Sequence, residues 1–391
     1  LFGQLKCHKP GMPIRPLATG YNSLVANAEK FFAKLLKPLL QKCKYLVDSP
    51  KSFHSKVRLD KFNFDPSKHS VVSYDCKSLF TNVKVSRVLS WVLDQIMKKP
   101  RDFFNEFHNG QLLEPPRRSD LRKFLHGILT DFSFFRSQIG VFRQKQGLAM
   151  GSSLSPILAN LFVNVFEVSV IDKLIKEGKI LKWSRYVDDC FAVIDKKYET
   201  SIFEKLNSWD SNLTFTTEKM TEDGLVFLDC LIFYENKKLH SKKYRKKGVE
   251  TVLSNFEHSV MCRKYLCNSI FTMLHREKDC SSSHKLFLES LEELKEVLRR
   301  NNYPQRLVDN KIAEFLKNDQ KPDRPPKVHT LCLDYNSASI EAYVNNLIKR
   351  MKKLVPSFEV NIAYKTQKVC SIFSSTAKVC LDFDEVTNTI Y

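Results

Sequence analysis

Apolar residues recur every three or four positions in four stretches of the chain, and each stretch predicts an amphipathic helix. These stretches are residues 22–46, 88–97, 157–168 and 287–298. The third helix is predicted to begin at Ser155, the N-cap, with Pro156 in its first turn. The predicted buried positions are Leu24, Ala28, Phe31, Leu35 and Leu39 in the first helix, and Ile157, Leu161, Val165 and Val168 in the third.

Short runs of β-branched and aromatic residues predict strands between these helices. The runs are "SVVSYD" (70–75), "KWSRYVDDCFAV" (182–193), "LTFTT" (213–217) and "LVFLDCLIFYE" (225–235). The second run contains two adjacent aspartates, which predict a hairpin that turns at Asp188 and Asp189.

The C-terminal part of the chain has a pattern of its own. A polar, proline-rich stretch, "NDQKPDRPPK" (318–327), is typical of a linker. It is followed by "HTLCLDY", a helical pattern over 339–354 and "FEVNIAY", which together predict a small β-α-β unit. We find no internal repeat.

Composition favours a polyanionic partner. The 391 residues include 63 Lys and Arg against 43 Asp and Glu, a formal charge of +20, and 43% are hydrophobic. This excess indicates nucleic acid, with an ordinary basic protein as the alternative. The 11 cysteines contain no CxxC pair, so we expect reduced thiols rather than a zinc or disulfide framework. No apolar run reaches the ~20 residues needed to cross a bilayer.

A third acid at the end of another predicted strand makes a shared site for the paired aspartates more specific than an isolated turn. Asp75 closes the run "SVVSY", and adjacent strands would bring it to Asp188 and Asp189. Such a cluster repels itself unless cations neutralise it, and two Mg²⁺ ions about 3.5–4 Å apart are bridged by carboxylates in nucleotidyl-transfer sites. An Asp-containing turn is the alternative.

Three further stretches fit the same chemistry. "QGLAMGSSLSP" (146–156) combines a Gln-Gly turn with small residues that would let a base pair approach the backbone; a capped glycine loop is the alternative. Phe80 could close over the sugar of a nucleotide, or simply pack in the core. Lys9 and Arg15 could bind phosphate oxygens, or be a solvated pair. The run 237–247 holds seven Lys or Arg residues. They could bind nucleic-acid phosphates, or lie at a solvated hairpin tip.

In chain order these pieces resemble the core of reverse transcriptases, and more closely that of Penelope-like retroelements, whose polymerase is nearest to telomerase. The phrases that carry the resemblance are "CHKPGMPIRP", "DCKSLFTNV", "QGLAMGSSLSPILANLF", "RYVDDCFAV" and "FLDCLI". "YRKKGVETVLSNFEHS" and "LRRNNYP" resemble the thumb of that group. The resemblance covers roughly residues 1–320, and it is specific because the motifs follow the family's order at workable spacing.

The resemblance implies an α+β right-hand polymerase fold with fingers, a palm built on an antiparallel sheet, and a helical thumb, plus a small C-terminal α/β connector. The implied boundaries are fingers 1–70, palm 71–235 with a fingers insertion at about 84–140, thumb 236–318, linker 319–327 and connector 328–391.

The resemblance also implies roles for individual residues. The metal-binding catalytic acids, for two Mg²⁺ or Mn²⁺ ions, are Asp75, Asp188 and Asp189. The dNTP-binding residues are Lys9, Arg15, Phe80, Gln146 and Gly147, with Phe80 as the steric gate against ribonucleotides. The primer and template residues are Tyr186, Phe227, Leu228 and Asp229. Lys219 is a candidate general acid for departure of pyrophosphate.

The implied partners are an RNA template, a DNA primer and dNTPs, with a nuclear location and no membrane. Many members of the group continue into a GIY-YIG endonuclease, and we expect the chain, which begins at Leu1, to be a fragment of such a protein. Alternatives are a catalytically retired protein that only binds nucleic acid, and a telomerase-type catalytic subunit. A viral RNA polymerase is disfavoured by the aromatic residue at position 80.

Overall fold

The structure is a computed structural model, and its description covers part of the chain. The described residues are 2–5, 14–17, 23–59, 62–104, 115–137, 140–246, 251, 253–261, 263–319, 329–334, 338–354 and 360–365. Lys9 and most of the predicted linker lie outside them.

Helices and short strands alternate along the chain. The strands are β1 (Phe2–Leu5), β2 (Ile14–Leu17), β3 (His69–Cys76), β4 (Phe134–Ser137), β5 (Gly140–Arg143), β6 (Ile180–Tyr186), β7 (Asp189–Asp195), β8 (Phe215–Lys219), β9 (Leu225–Phe227), β10 (Cys230–Glu235), β11 (Lys238–Lys243), β12 (His329–Asp334) and β13 (Val360–Lys365). The helices are α1 (Ala26–Gln41), α2 (Pro50–Val57), α3 (Leu79–Asn82), α4 (Val85–Lys98), α5 (Pro100–Phe104), α6 (Arg118–His126), α7 (Ser155–Phe166), α8 (Asp172–Lys176), α9 (Glu199–Ser208), α10 (Arg263–Cys280), α11 (His284–Arg300), α12 (Gln305–Asp319) and α13 (Ala338–Leu354).

A four-stranded antiparallel sheet, ordered β6-β7-β3-β8, forms the centre of the fold. Successive side chains of a strand point to opposite faces, so each strand contributes to two cores. On one face Val72 and Ala192 join the core formed with α1, α4 and α7. On the other face Val71 and Val193 join a second core with β9, β10 and α2. The α+β class with an antiparallel sheet is confirmed.

The second core supports a smaller antiparallel sheet, ordered β11-β10-β9. The ring of Phe53 lies 5.0 Å from that of Phe191 and 4.9 Å from that of Phe227, measured between centroids. All three side chains are fully buried. This aromatic cluster fixes the small sheet against the face of the central sheet on which Phe191 lies.

The predicted helices form, but two of the predicted buried faces are wrong in part. In α1, Leu35 and Leu39 are buried as expected, whereas Leu24 is 98% exposed because it precedes the helix. Phe31 is also exposed, and Phe32 takes the buried position instead. A face shifted by one residue is the usual error where apolar residues occupy adjacent positions.

Helix α7 corrects the predicted cap and face. Its N-cap is Leu154, and Ser155 is the first helical residue with a buried hydroxyl that has no partner. Leu161 is buried as predicted, but Val168 is 56% exposed because it lies in a π-helical segment that follows the helix. The wider turn of that segment rotates the face away from the spacing of a regular helix.

The chain divides into two compact units, Leu1–Phe315 and Leu316–Tyr391. The second unit contains the predicted β-α-β order, with β12 and β13 paired in parallel and α13 between them in sequence. In the first unit, α11 buries the predicted Phe287, Leu291 and Leu298. Among the described residues, none of the helices has the length and apolar content that a membrane span requires.

Candidate active site

The β6–β7 hairpin carries the paired aspartates, and its turn differs from the predicted one by a single residue. The turn consists of Val187 and Asp188, while Asp189 is the first residue of β7 and lies opposite Tyr186. Val187 has a left-handed backbone with φ of 54°, which is rare for a β-branched residue. The shift places Asp189 on the same face of the sheet as Phe191 and Val193.

Asp75 lies directly opposite Asp189 in the pairing of β3 with β7. Residues opposite each other have Cβ atoms about 4.5–5.5 Å apart, so two carboxyl groups meet on one face of the sheet. The main-chain carbonyl of Asp188 accepts a hydrogen bond from the N–H of Cys76 at 2.9 Å, which fixes the turn to the end of β3. The structure therefore brings the three predicted acids together.

Asp189 is less exposed than Asp75, and its environment is electrostatically unfavourable for a bare carboxylate. Burial raises the pKa of Asp189 to about 7, and the charges of Asp75 and Asp188 act in the same direction. The Ser73 hydroxyl opposes them by donating to Oδ1 at 3.1 Å. Within the described part of the chain, neither Asp75 nor Asp189 forms an ion pair with Lys or Arg.

The residues of this site fit divalent cations. Hard carboxylate oxygens on adjacent strands are the donor set that Mg²⁺ prefers, and a cation would relieve the repulsion that raises the pKa of Asp189. In the part of the chain that the structure describes, no three His, Cys, Asp or Glu side chains form a metal-binding group as they stand. The fit therefore rests on the facing pair Asp75 and Asp189, with Asp188 beside them in the turn.

The predicted strand "LVFLDCLIFYE" is split by a turn, which is a second correction to the sequence analysis. Leu228 and Asp229 form the turn between β9 and β10, and Leu228 has a left-handed φ of 56°. The backbone N–H of Leu228 lies near the carboxylate of Asp189 and acts to lower its pKa. Phe227 is fully buried in the aromatic cluster, so it supports this turn from within the core.

Asp229 is held by two cations from separate elements. Lys243 of β11 lies 3.1 Å from its carboxylate, and Arg276 of α10 makes a short ion pair with the same oxygen. Burial acts to raise the pKa of Asp229, but these two partners hold it below its usual range. The turn next to the acids is thus tied to helix α10.

The Gln146–Gly147 turn lies against the residues around Phe80. Leu148 donates its N–H to the carbonyl of Phe80 at 2.7 Å. Gly147 has φ of 74°, and a Cβ atom there would lie 2.5 Å from the carbonyl oxygen of Thr81 and 2.7 Å from that of Phe80. Phe80 is partly buried against the first core. The structure therefore places the Gln146–Gly147 turn next to Phe80, and the sequence analysis predicts that both bind the dNTP.

Other predicted site residues lie at varying positions. Tyr186 is 40% exposed and shares a face with Asp189. Lys219 lies opposite Val72, which places it on the other face of the sheet from Asp75, and it pairs with Glu199. The structure does not bring Lys219 to the acids.

For the two residues that the sequence predicts to bind the triphosphate, the described part of the chain gives only the strand pairing of Arg15. Arg15 lies in β2 opposite Gln4, and Lys9 falls outside the described residues. Part of the basic run is already engaged: Lys242 and Arg245 pair with Glu293 of α11. Those two basic side chains are therefore held by carboxylates of the chain itself.

Sequence reasoning missed several polar residues that support the site. Glu29 of α1 is buried, which raises its pKa, while the Ser152 hydroxyl and the Ser153 N–H in the loop before α7 act to lower it. Arg185 and Glu167 form an ion pair at 2.9 Å and are both fully buried. A charged residue within an apolar run, as Glu167 is in "LFVNVFEVSV", is the sequence feature that could have identified them.

Comparison with known families identifies most of the first unit. The family model described as Reverse transcriptase (RNA-dependent DNA polymerase) matches residues 7–226, which is more than half of the chain. A model described as Animal helix-turn-helix domain matches residues 257–313, which include α10, α11 and the first part of α12. No curated protein matches the chain significantly.

Solved structures of polymerases are similar to the chain at low identity. A telomerase from Candida albicans in complex with a fragment of telomeric RNA is 16% identical, with a TM-score of 0.47, over 75% of this chain and 48% of that one. The apo telomerase from Candida tropicalis is 15% identical, with a TM-score of 0.44, over 78% and 53%. An RNA-dependent RNA polymerase from bacteriophage phi12 is 11% identical, with a TM-score of 0.29, over 78% and 44%. The chain spans about half the length of these proteins.

Proposed function

Because the chain belongs to the reverse transcriptase (RNA-dependent DNA polymerase) family, we propose that it copies an RNA template into DNA by extending the 3′-hydroxyl of a primer with dNTPs. The observation that carries the proposal is the facing pair Asp75 and Asp189, with Asp188 in the adjoining turn. Facing acids weaken a sheet unless they hold a ligand. The family is one of nucleotidyltransferases, and these acids are its site in this chain.

Each part of the site has a role in this reaction. Asp75, Asp188 and Asp189 would hold two Mg²⁺ or Mn²⁺ ions. When bound, such ions lower the pKa of an attacking 3′-hydroxyl and neutralise the charge of the departing pyrophosphate. The Ser73 hydroxyl orients the carboxylate of Asp189 by donating to it, and the Leu228 N–H lies near the same carboxylate.

The nucleotide would lie beside the contact between the Gly147 turn and Phe80. The close approach of the two backbones leaves a flat surface for a base pair, and Gln146 borders it as an exposed residue. Phe80 would exclude a ribose 2′-hydroxyl. Lys9 and Arg15 would bind the triphosphate. Tyr186 and the Leu228–Asp229 turn would contact the primer end, and Phe227 would support that turn from the core.

At a finer level we propose a retrotransposon enzyme of the Penelope-like group, working on DNA in the nucleus. Its fingers, palm and thumb would follow the boundaries 1–70, 71–235 and 236–318, with a connector over 328–391 that leads towards a GIY-YIG endonuclease. The motif phrases of the sequence support this assignment. A telomerase-type subunit uses the same core, and a dedicated RNA bound to the purified protein would distinguish it.

Primer extension tests the proposed function. Purified protein with Mg²⁺ or Mn²⁺ is expected to add dNTPs to a DNA primer on an RNA template. Asp188→Asn should reduce extension at least about a thousandfold, since loss of a charged group that stabilises the transition state costs this much. Its affinity for template–primer should stay within about threefold, because phosphate contacts carry binding.

Two results would contradict the proposal. Normal extension by Asp188→Asn would mean that these acids are not the catalytic site. Tight binding of template–primer by the wild-type protein without any incorporation would favour a protein that only binds nucleic acid. Asp195→Asn, at the end of β7 away from the turn, is the matched control and should extend normally.

A further inference from the structure

We propose that Arg185 is a positioning residue for the acid-bearing turn, which it holds in its strained conformation from the opposite face of the central sheet. Arg185 lies on β6 opposite Cys190, so its side chain points into the helix-covered core while Asp189 points to the other face. The inference rests on the proposed function, because the effect of Arg185 on the position of the two aspartates is measured through the rate of primer extension.

All five N–H groups of the Arg185 guanidinium have acceptors. Nε donates to Glu167 Oε1 at 2.9 Å, and Nη2 donates to Glu167 Oε2 at 3.1 Å and to the Asn160 carbonyl at 3.2 Å. Nη1 donates to Asn160 Oδ1 at 2.7 Å and to the carbonyl oxygen of Val187 at 3.0 Å. A planar guanidinium group whose five N–H donors all form hydrogen bonds can adopt only one orientation. The guanidinium is therefore fixed by α7 and the π-helical segment after it.

The Val187 carbonyl is the point at which this fixed group meets the turn. Val187 has φ of 54°, a conformation that a β-branched residue adopts only when its surroundings enforce it. The hydrogen bond from Nη1 holds its carbonyl in that conformation. The next two residues along the chain are Asp188 and Asp189, so the orientation of this peptide sets where both carboxylates lie.

The main chain of Arg185 is anchored independently of its side chain. Its N–H donates to the carbonyl of Tyr45 at 2.9 Å, and its carbonyl accepts from the N–H of Val47 at 2.8 Å. A substitution of Arg185 leaves these bonds and the β6–β7 register in place. Its effect on the acids should therefore act through the Val187 carbonyl, while loss of the bonds to Glu167 and Asn160 is a separate cost in stability.

Two variants of Arg185 separate positioning from support of the fold. Arg185→Lys keeps a charge but has three donors without the fork, so it cannot serve both Glu167 and the Val187 carbonyl. Arg185→Met combined with Glu167→Leu replaces the ion pair by apolar side chains, a change that often preserves stability. Both remove the donor to Val187. In this chain the double variant also removes Glu167 Oε1, the acceptor of the buried Trp183 Nε1–H, so it is expected to melt below the wild type, and its kcat is measured below its melting temperature.

The test is steady-state primer extension, with template–primer affinity and thermal unfolding measured on the same samples. For each variant that is folded, kcat should fall at least about tenfold, because small misplacements of reacting groups are this costly. The KM for dNTP and the Kd for template–primer should change less than about threefold. Adding Val187→Gly should recover most of kcat, since glycine adopts a positive φ without strain.

Leu206→Ala in α9 is the matched control. It leaves a cavity at a fully buried position remote from the turn, so it lowers the melting temperature while kcat should stay normal below that temperature. A kcat within twofold of wild type in the folded Arg185 variants would overturn the inference, as would a loss that Val187→Gly does not recover. Failure of the wild-type protein to extend any primer would instead overturn the proposed function.

Discussion

At the scale of single residues, the site depends on backbone conformations that most side chains avoid. Val187, Leu228 and Gly147 all have positive φ and all lie next to a predicted functional residue. Such conformations cost about 1–3 kcal/mol each for residues other than glycine, and they persist only where surrounding contacts enforce them. Buried donors and close backbone contacts supply that enforcement around the acids.

Gly147→Ala is expected to weaken dNTP binding as well as stability. The new Cβ would collide with the carbonyls of Thr81 and Phe80, so the turn must move away from the nucleotide. We expect a loss of roughly 1–3 kcal/mol in the free energy of unfolding and an increase in the KM for dNTP. Thermal unfolding and dNTP titration measure the two effects.

Gly178→Ala is the matched control, since Gly178 has φ of 72° but no atom within 4 Å of an added Cβ. It shares the backbone strain without the collision, so it should lower stability and leave the KM for dNTP unchanged. An equal KM for both variants would mean that the Gly147 turn does not border the nucleotide.

Glu277 makes stability depend on pH. Burial raises the pKa of Glu277 to about 7, although Arg245 opposes this from 2.6 Å, and one carboxylate oxygen has no partner. The pKa of Glu277 in the folded protein lies above its value in the unfolded chain, so the protonated side chain contributes to the free energy of unfolding. This contribution is complete below about pH 4.5 and is lost as pH rises through about 7.

Glu277→Gln keeps the neutral form at every pH. Its melting temperature relative to wild type is therefore expected to rise between pH 5 and pH 8. Glu296→Gln is the control, because its arginine partners hold the pKa of Glu296 at about 2, so the difference from wild type should be flat over this range. A flat difference for Glu277→Gln would show that Glu277 is already ionised at pH 5.

At the scale of elements, the turn between β9 and β10 connects helix α10 to the acids. Arg276 of α10 and Lys243 of β11 hold Asp229, and the N–H of the preceding residue lies near the carboxylate of Asp189. A movement of α10 would therefore reach the acids through one peptide. Under the proposed function, this contact would couple binding of the duplex to the acids.

Asp229→Asn should reduce kcat for extension about tenfold while template–primer affinity changes little, since a partly exposed charge-assisted contact that holds the turn is lost. Single-turnover extension and a binding titration measure the two quantities. Glu293→Gln serves as the control, because Glu293 pairs Lys242 and Arg245 between β11 and α11 without touching the turn. Equal kcat values for the two variants would contradict the coupling.

The sequence allowed the elements and the acids to be predicted, but not the turns between them. Runs of β-branched and aromatic residues predicted the strands, and Asp75 was placed correctly beside the hairpin because it comes at the end of such a run. The position of the turn at Val187, the split at Leu228 and the opposite-face location of Lys219 follow from strand register. Register depends on partners far away in the chain, so local patterns do not contain it.

At the scale of the whole molecule, the chain is expected to function without its last part. The first compact unit ends at Phe315, and α12 ends at Asp319. A chain shortened to residues 1–319 should therefore melt at the temperature of the complete chain and extend primers with the same kcat. A lower melting temperature or lost extension would show that the second unit is required.

The central position of β3 also determines when this protein can fold during its synthesis. Both neighbours of β3 in the sheet, β7 and β8, come later in the chain, and Ser73 is separated from its partner Asp189 by 116 positions. At ribosomal rates of about 5–20 residues per second, β3 waits on the order of ten seconds with two unpaired edges. An apolar strand in that state is prone to pair with other chains. Asp75 at its end is a charge that would discourage such pairing, in addition to the role proposed for it in the site.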